Sequence, residues 1–214
     1  HGLGQRLASS FVDIDMIAGP SEILVIADDT ADPKFAAADL MSQAEHDVLA
    51  SAIMVTTSEK LADATLAEIE RQKQYLSRKD IISKSLEDYG AIIIADSREK
   101  CVELANRIAP EHLEVLMENP FELLGSLDNA GSIFLGNYAS EPLGDYYAGP
   151  NHVLPTSGTA RFFSPLGVAS FTKRTAYTYY TEDALRQAKD DIVLIAEREG
   201  LTAHANAIKV RFEN

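Results

Sequence analysis

Four of the five histidines stand among residues that can do chemistry with them. Gln43 and His46, in MSQAEHD, are three apart on a predicted helix, so both side chains leave one face. An imidazole and a neutral oxygen donor at this spacing can hold a divalent metal, although a surface or capped histidine fits the pair as well. Glu45 and Asp47 beside them read as solvated. Glu111-His112 follows Ala109-Pro110 at a helix-to-strand turn, expected to lie at the sheet edge where ligands of open α/β folds bind. A carboxyl group beside an imidazole offers two proton-transfer groups at one point. Adjacent strand residues point to opposite faces, so acting together requires a non-extended backbone, and spacing alone does not separate a functional pair from a structural one. Asp145 and His152 share the stretch EPLGDYYAGPNHVLPT, where glycines 144 and 149 and prolines 142, 150 and 155 make a shaped loop. Such loops carry function disproportionately, but a polar turn accounts for the residues too. His204 follows Gly200 by four residues with alanines on either side, the setting of a helix-surface histidine. Cys101 falls on the stripe Cys101, Leu104, Ala105, Ile108 and reads as core, because a thiolate nucleophile needs exposure and a positive setting. No G-x-S-x-G elbow or Walker loop occurs, and Gly2-Leu3-Gly4 lacks both a preceding strand and the third glycine of a dinucleotide fingerprint.

The elements that must position these residues follow from hydrophobic pattern. Short apolar runs at 22–27 (EILVIA), 51–57, 91–95 (AIIIA), 113–117 and 132–135 predict five buried strands. Between them, helical spacing predicts helices from Pro33 to about Leu49, over 58–76, 78–89 (stopped by Gly90), 98–108 and briefly 120–127. Fully apolar strands alternating with amphipathic helices predict an incomplete Rossmann-like parallel sheet with helices on both faces. Residues 137–165 read as a long irregular stretch, and loops of that length are usually functional or linkers. Residues 168–180 are expected to be extended, 181–199 to form a helix capped by Thr181, and 201–212 a last helix. The expected organisation is an α/β domain over 1–165 carrying the site, and an extended arm with a helical tail over 166–214. That tail is too small to bury a core alone, so it is expected to serve dimerisation.

Composition narrows the partners. The 214 residues carry 19 Lys and Arg against 33 Asp and Glu, a formal charge of −14. Such a surface repels phosphate backbones and anionic lipid, so neither nucleic acid nor a membrane surface is expected as a partner. The apolar runs are too short to span a bilayer, and residues 1–16 lack the basic start and apolar block of a signal peptide. One cysteine excludes an intramolecular disulfide and a Cys-rich metal site, and suits a reducing, cytoplasmic location.

Taken together, the segments DMIAGPSEILVIADDTADP, DLMSQAEHD, RIAPEHLE, AGSIFLG, EPLGDYYAGPNHVLPT, FFSPLGVASFTKR and EGLTAHANAIKVR resemble histidinol dehydrogenases. They run in family order from about residue 13 to 211, and the chain resembles the C-terminal half of the family enzyme. The resemblance implies a zinc- and NAD-dependent oxidation of L-histidinol through L-histidinal to L-histidine, using two NAD+. It implies zinc ligands Gln43, His46, Asp145 and His204, and an acid–base pair Glu111 and His112. It implies that Ser21, His152 and Glu199 touch substrate together with the zinc ligands and His112. His112 is the expected base for the alcohol proton, and Glu111 the group that activates water for the aldehyde step. Much of the NAD site is expected in the N-terminal half. The family's dimers are intertwined, which implies a homodimer with His204 supplied to the partner's site. Two other readings remain at this point: a non-catalytic zinc- or ligand-binding fragment without the NAD half, and a zinc hydrolase in which Glu111 activates water without NAD.

Overall fold

A computed structural model of the chain describes residues 14–16 and 18–213. Gly2-Leu3-Gly4, and Ile17 within the first family-like segment, lie outside the described residues. The chain divides into two compact units, His1–Phe171 and Thr172–Asn214.

In the first unit, strands β1 (Glu22–Ala27), β2 (Ser51–Thr56), β3 (Gly90–Ile94), β4 (His112–Leu116) and β5 (Ser132–Leu135) form one sheet. All pairings are parallel, in the order β3-β2-β1-β4-β5. This is the α/β sheet that the alternation of strands and helices predicts. Its central strand is buried on both faces. Ile23, Val25 and Ala27 pack into one layer with Ala36, Leu40 and Met41, whereas Leu24 and Ile26 pack into the other with Cys101, Ala105, Leu113 and Val115. Cover on both faces is why residues 23–27 show no polar alternation. The edge strand β3, expected to be buried, is only partly so. Cys101 is fully buried, and burial pushes its thiol up, as a core cysteine should be.

The helices are α1 (Pro33–Ala44), α2 (Glu59–Lys73), α3 (Lys79–Tyr89), α4 (Arg98–Ile108), α5 (Phe121–Leu124) and α6 (Glu141–Tyr146). The Asp32 carboxylate caps α1 by accepting from the Lys34 N–H at 2.9 Å, and Pro33 occupies the first turn. The helix ends at Ala44, short of the expected Leu49. Asp47 turns the chain instead: its carboxylate accepts from the Leu49 N–H at 2.9 Å and its carbonyl from the Ala50 N–H at 3.0 Å. Between α3 and β3 there is no connecting residue. Gly90 begins the strand, and a Cβ there would come within 2.4 Å of the Leu86 carbonyl oxygen, so only glycine permits the abrupt change.

Residues 137–165 are not wholly irregular. Helix α6 occupies Glu141–Tyr146, with Ser140 at its N-cap position and Pro142 in its first turn. The expected extended arm also differs: Val168–Phe171 is a 3₁₀ turn and 172–180 has no regular structure. In the second unit, α7 (Glu182–Arg198) is capped by the Thr181 hydroxyl, which accepts from the Ala184 N–H at 3.2 Å. It turns at Gly200 (φ +76°) into α8 (Thr202–Lys209), followed by a 3₁₀ turn at Val210–Phe212. Within the unit, Ala196 and Ala205 are the buried apolar residues, whereas Tyr177, Tyr179, Leu194 and Ile195 are exposed.

Candidate active site

The site gathers at the amino ends of the strands. Ser21 immediately precedes β1, Glu111 precedes β4, and His112 is its first residue. The chain leaving α1 past Gln43 and His46 returns to the start of β2, where the Ser51 N–H bonds the Ser21 carbonyl at 3.0 Å. The edge expected from the sequence is therefore corrected. A helix-to-strand turn delivers residues to the amino edge, whereas open α/β folds bind ligands beyond the carboxyl ends. At the carboxyl end of β1 the chain reads Asp28-Asp29-Thr30-Ala31-Asp32, with no glycine to admit a pyrophosphate.

The backbone of one residue, Glu22, holds the candidate acid–base pair. The Glu22 N–H donates to Glu111 Oε2 at 3.0 Å, and His112 Nδ1 donates to the Glu22 carbonyl at 3.1 Å. A carbonyl can only accept, so Nδ1 carries the proton and, in the neutral ring, Nε2 is the free base. That Nε2 is buried and has no hydrogen-bond partner among the described residues. The pair is therefore linked through Glu22, the first residue of β1, and the chain bends at Glu111. Gly131 completes the corner: its N–H bonds the Pro110 carbonyl at 2.9 Å, and a Cβ would come within 2.5 Å of the Glu111 carbonyl oxygen.

Strand periodicity sends His112 and Glu114 to the same face as Leu116, which packs in the α1 layer. There Glu114 is fully buried, and its Oε1 accepts from the Glu141 N–H at the head of α6, at 2.7 Å. Ser42 of α1 donates to the Asp39 carbonyl at 2.8 Å and more weakly to Glu141 Oε2 at 3.4 Å. Asp145, in the last turn of α6 rather than in a loop, sits with Glu141 and His112 so that one ligand atom of each lies within 4.8 Å of the others. His152 and Asp145 share a cavity of about 300 Å³ with Phe134, Leu143, Asn151 and Leu154. A larger groove between α2, α3 and β3 contains none of the candidate residues.

Electrostatics follow from burial. Desolvation, reinforced by the charges of Glu22 and Asp145, pushes the Glu111 carboxyl up to about 8 against the pull of the Glu22 N–H. Desolvation lowers His112, with His46 adding to the effect while the Glu22 carbonyl and Asp145 oppose it. The 3.7 Å approach of His112 Nδ1 to Glu111 Oε2 is thus that of a neutral imidazole beside a carboxylic acid at neutral pH. Burial also raises Asp39, Glu114 and Glu141; Asp39 and Glu141 add to the rise at Glu114, and Asp145 adds to that at Glu141. Among the described residues no lysine or arginine forms an ion pair with any of these carboxyls.

Such a site is short of positive charge. Gln43 is buried with Oε1 lacking a hydrogen-bond partner among the described residues, a neutral oxygen donor free to take a ligand. Nitrogen and oxygen donors of this kind suit Zn2+. His46 is exposed one residue past the α1 cap, its N–H bonded to the Gln43 carbonyl at 3.1 Å, so the spacing of three survives although the helix has ended. Glu199 is the C-cap of α7 and His204 lies exposed on α8, both in the second unit.

The model of the family described as histidinol dehydrogenase matches residues 3–212. The chain belongs to the histidinol dehydrogenase family. A histidinol dehydrogenase of Clostridium acetobutylicum is 62% identical over 211 residues, 99% of this chain and 49% of its own length. One from Listeria monocytogenes serotype 4b is 62% identical over 209 residues, 98% of this chain and 49% of its own. The crystal structure of histidinol dehydrogenase from Elizabethkingia anophelis superposes with a TM-score of 0.90 at 44% identity, covering 98% of this chain and 48% of that one. The chain thus spans about half the length of the relatives it matches. Membership of this family does not favour the hydrolase reading.

Glu22, Asp39, Glu114 and Glu141 were not among the expected site residues. Glu114 had a signal: a carboxyl two residues beyond His112 in a buried strand must share its face. Glu141 had one too, because Ser140-Glu141-Pro142 is a helix-start pattern.

Glu111, Glu114 and Glu141 are raised in the folded state, so their stabilising share is present below the unfolded carboxyl range and lost as pH rises through the folded values. Metal-free protein should therefore lose thermal stability between about pH 5 and 8.5. Added Zn2+ competes with those protons and should raise the melting temperature more at about pH 8.5 than at pH 6. A zinc-induced rise that is the same at both pH values contradicts this linkage.

Proposed function

We propose that this chain carries the metal- and substrate-holding part of a zinc- and NAD-dependent histidinol dehydrogenase, which converts L-histidinol through L-histidinal to L-histidine with two NAD+. The observation that carries the reading is the clamp of Glu22 on Glu111 and His112, which leaves His112 Nε2 as a buried free base beside Asp145. Gln43, His46 and Asp145, completed by His204, are the ligand set that the family match supports. Zn2+ held by them would anchor nitrogen donors of the substrate and, as local positive charge, favour the ionised form of Glu111. NAD+, when bound, would supply the hydride acceptor for each oxidation, with most of its site expected outside this half.

The chain's own residues move the protons. In the first oxidation His112 Nε2 takes the hydroxyl proton as hydride leaves the carbinol carbon, giving the aldehyde. The resulting imidazolium keeps its Nδ1–H on the Glu22 carbonyl, so the ring does not turn as it charges. In the second, Glu111 takes a proton from water as its oxygen adds to the aldehyde carbon. The hydrate then loses hydride to become the acid. Ser21 at the mouth of β1, His152 in the cavity beside Asp145 and Glu199 are the groups that would hold the substrate. The single buried cysteine takes no part.

The active unit is a homodimer in this reading, with the second unit docked on a partner copy and His204 supplied in trans. Its exposed Tyr177, Tyr179, Leu194 and Ile195, and its small buried core, support that assignment. No helix among the described residues is long and apolar enough to cross a membrane, and a cytoplasmic setting suits the lone free cysteine.

In the full-length enzyme, Glu111→Gln should slow oxidation of supplied histidinal more than alcohol oxidation, and His112→Ala should slow alcohol oxidation by roughly 10²–10⁴-fold. Equal losses on both substrates in the Glu111 variant refute the division of roles. Mixing His204→Ala chains with His46→Ala chains should restore some zinc sites, because one site of each mixed dimer holds every ligand. No recovery in verified heterodimers means that His204 does not ligate in trans.

A further inference from the structure

Glu22 is bonded through three of its groups to two separate segments, Glu111-His112 and the turn at Ser157. Its N–H reaches Glu111, its carbonyl receives His112, and its Oε1 accepts from the Ser157 N–H at 3.0 Å. The third bond closes on a turn that does not form easily. Ser157 (φ +55°) and Gly158 (φ +72°) are consecutive left-handed residues, and a non-glycine residue holds that conformation only where its surroundings fix it. The fixing contacts come from both sides. The Gly19 N–H donates to Thr156 Oγ1 at 2.6 Å, and Arg161 donates to the Gly158 carbonyl at 2.7 Å and to the Arg107 carbonyl. Leu154 and Thr156 are buried beneath the turn, and His152 precedes them by two and four residues at the cavity it shares with Asp145.

We propose that Glu22 is a positioning residue: its side-chain carboxyl latches the 156–158 turn, and so the His152 segment, in register with the acid–base pair that its own backbone N–H and carbonyl orient. One residue at the mouth of the central strand then sets the distance between the proton-transfer groups and a wall of the substrate cavity. The catalytic consequence rests on the histidinol dehydrogenase reading, whereas the latch itself does not.

The test uses full-length enzyme and two variants. Glu22→Gln keeps an acceptor oxygen for the Ser157 N–H; Glu22→Ala removes it, and Glu22→Met does so at similar volume should the alanine variant not fold. In the alanine or methionine variant, amide hydrogen exchange at Ser157 should quicken roughly ten-fold or more, the usual worth of one lost hydrogen bond. KM for histidinol should rise by a similar factor while KM for NAD+ stays within about two-fold, and Glu22→Gln should recover most of both losses. Unchanged exchange at 156–158 without the acceptor overturns the latch, whatever the kinetics. A glutamine variant as impaired as the alanine one also overturns it, because charge and not the acceptor would then matter. A wild-type enzyme that does not oxidise histidinol contradicts the functional reading instead, and the exchange measurement still decides the latch.

Discussion

A carboxyl group taken out of water without a countercharge is pushed toward its protonated form, and this fold buries several around one imidazole. Glu111, Glu114 and Glu141 are all held above the ordinary carboxyl range, chiefly by desolvation. Backbone N–H groups offset part of the cost: that of Glu22 on Glu111, and that of Glu141 on Glu114. The rest of the arrangement follows from that shortage of positive charge. A divalent cation at Asp145, as proposed, would relieve it; protons relieve it otherwise, and the two would compete.

The same constraint accounts for where the chemistry sits. The carboxyl edge of a parallel sheet is the usual ligand edge, yet in this chain the β1–α1 connection is acidic and lacks glycine. The amino edge instead collects a helix C-terminus, a helix-to-strand corner and the short helix α6 around the head of β1 and β4. Because β1 and β4 are neighbours in the sheet, with Ile23 beside His112, residues some ninety apart in sequence meet there without a long loop.

How much could be read from residues alone varies with the length scale of the interaction. All five strands were legible: burial on both faces keeps residues 23–27 apolar, and the run AIIIA marked β3 too, although that edge strand is only partly buried and not the buried strand its composition suggests. So was the core placement of Cys101, which depends on helical spacing. The end of α1 was not, because apolar periodicity continues to Leu49 while the Asp47 turn redirects the backbone. Helix α6 was missed because a six-residue helix containing Pro142 and Gly144 resembles a loop until Glu114 is known to bond its first N–H. The types of the functional residues were legible through family-like motifs. The tautomer of His112 and the burial of Glu114 and Glu141 were not, since they depend on strand order and on contacts between distant segments.

Asp145 belongs to the proposed ligand set with Gln43 and His46, whereas the close group of possible metal ligands among the described residues joins it with His112 and Glu141. Proton transfer through His112 requires the first, because a metal bound to His112 Nε2 would take the lone pair that must receive the substrate proton. Anomalous scattering at the zinc edge, from crystals of the full-length enzyme soaked with Zn2+, decides between them. One zinc peak is expected within about 2.0–2.2 Å of Gln43, His46 and Asp145 donor atoms, with His112 Nε2 outside bonding distance. A peak bonded to His112 and Glu141 together with Asp145 would contradict the role of His112 as the base.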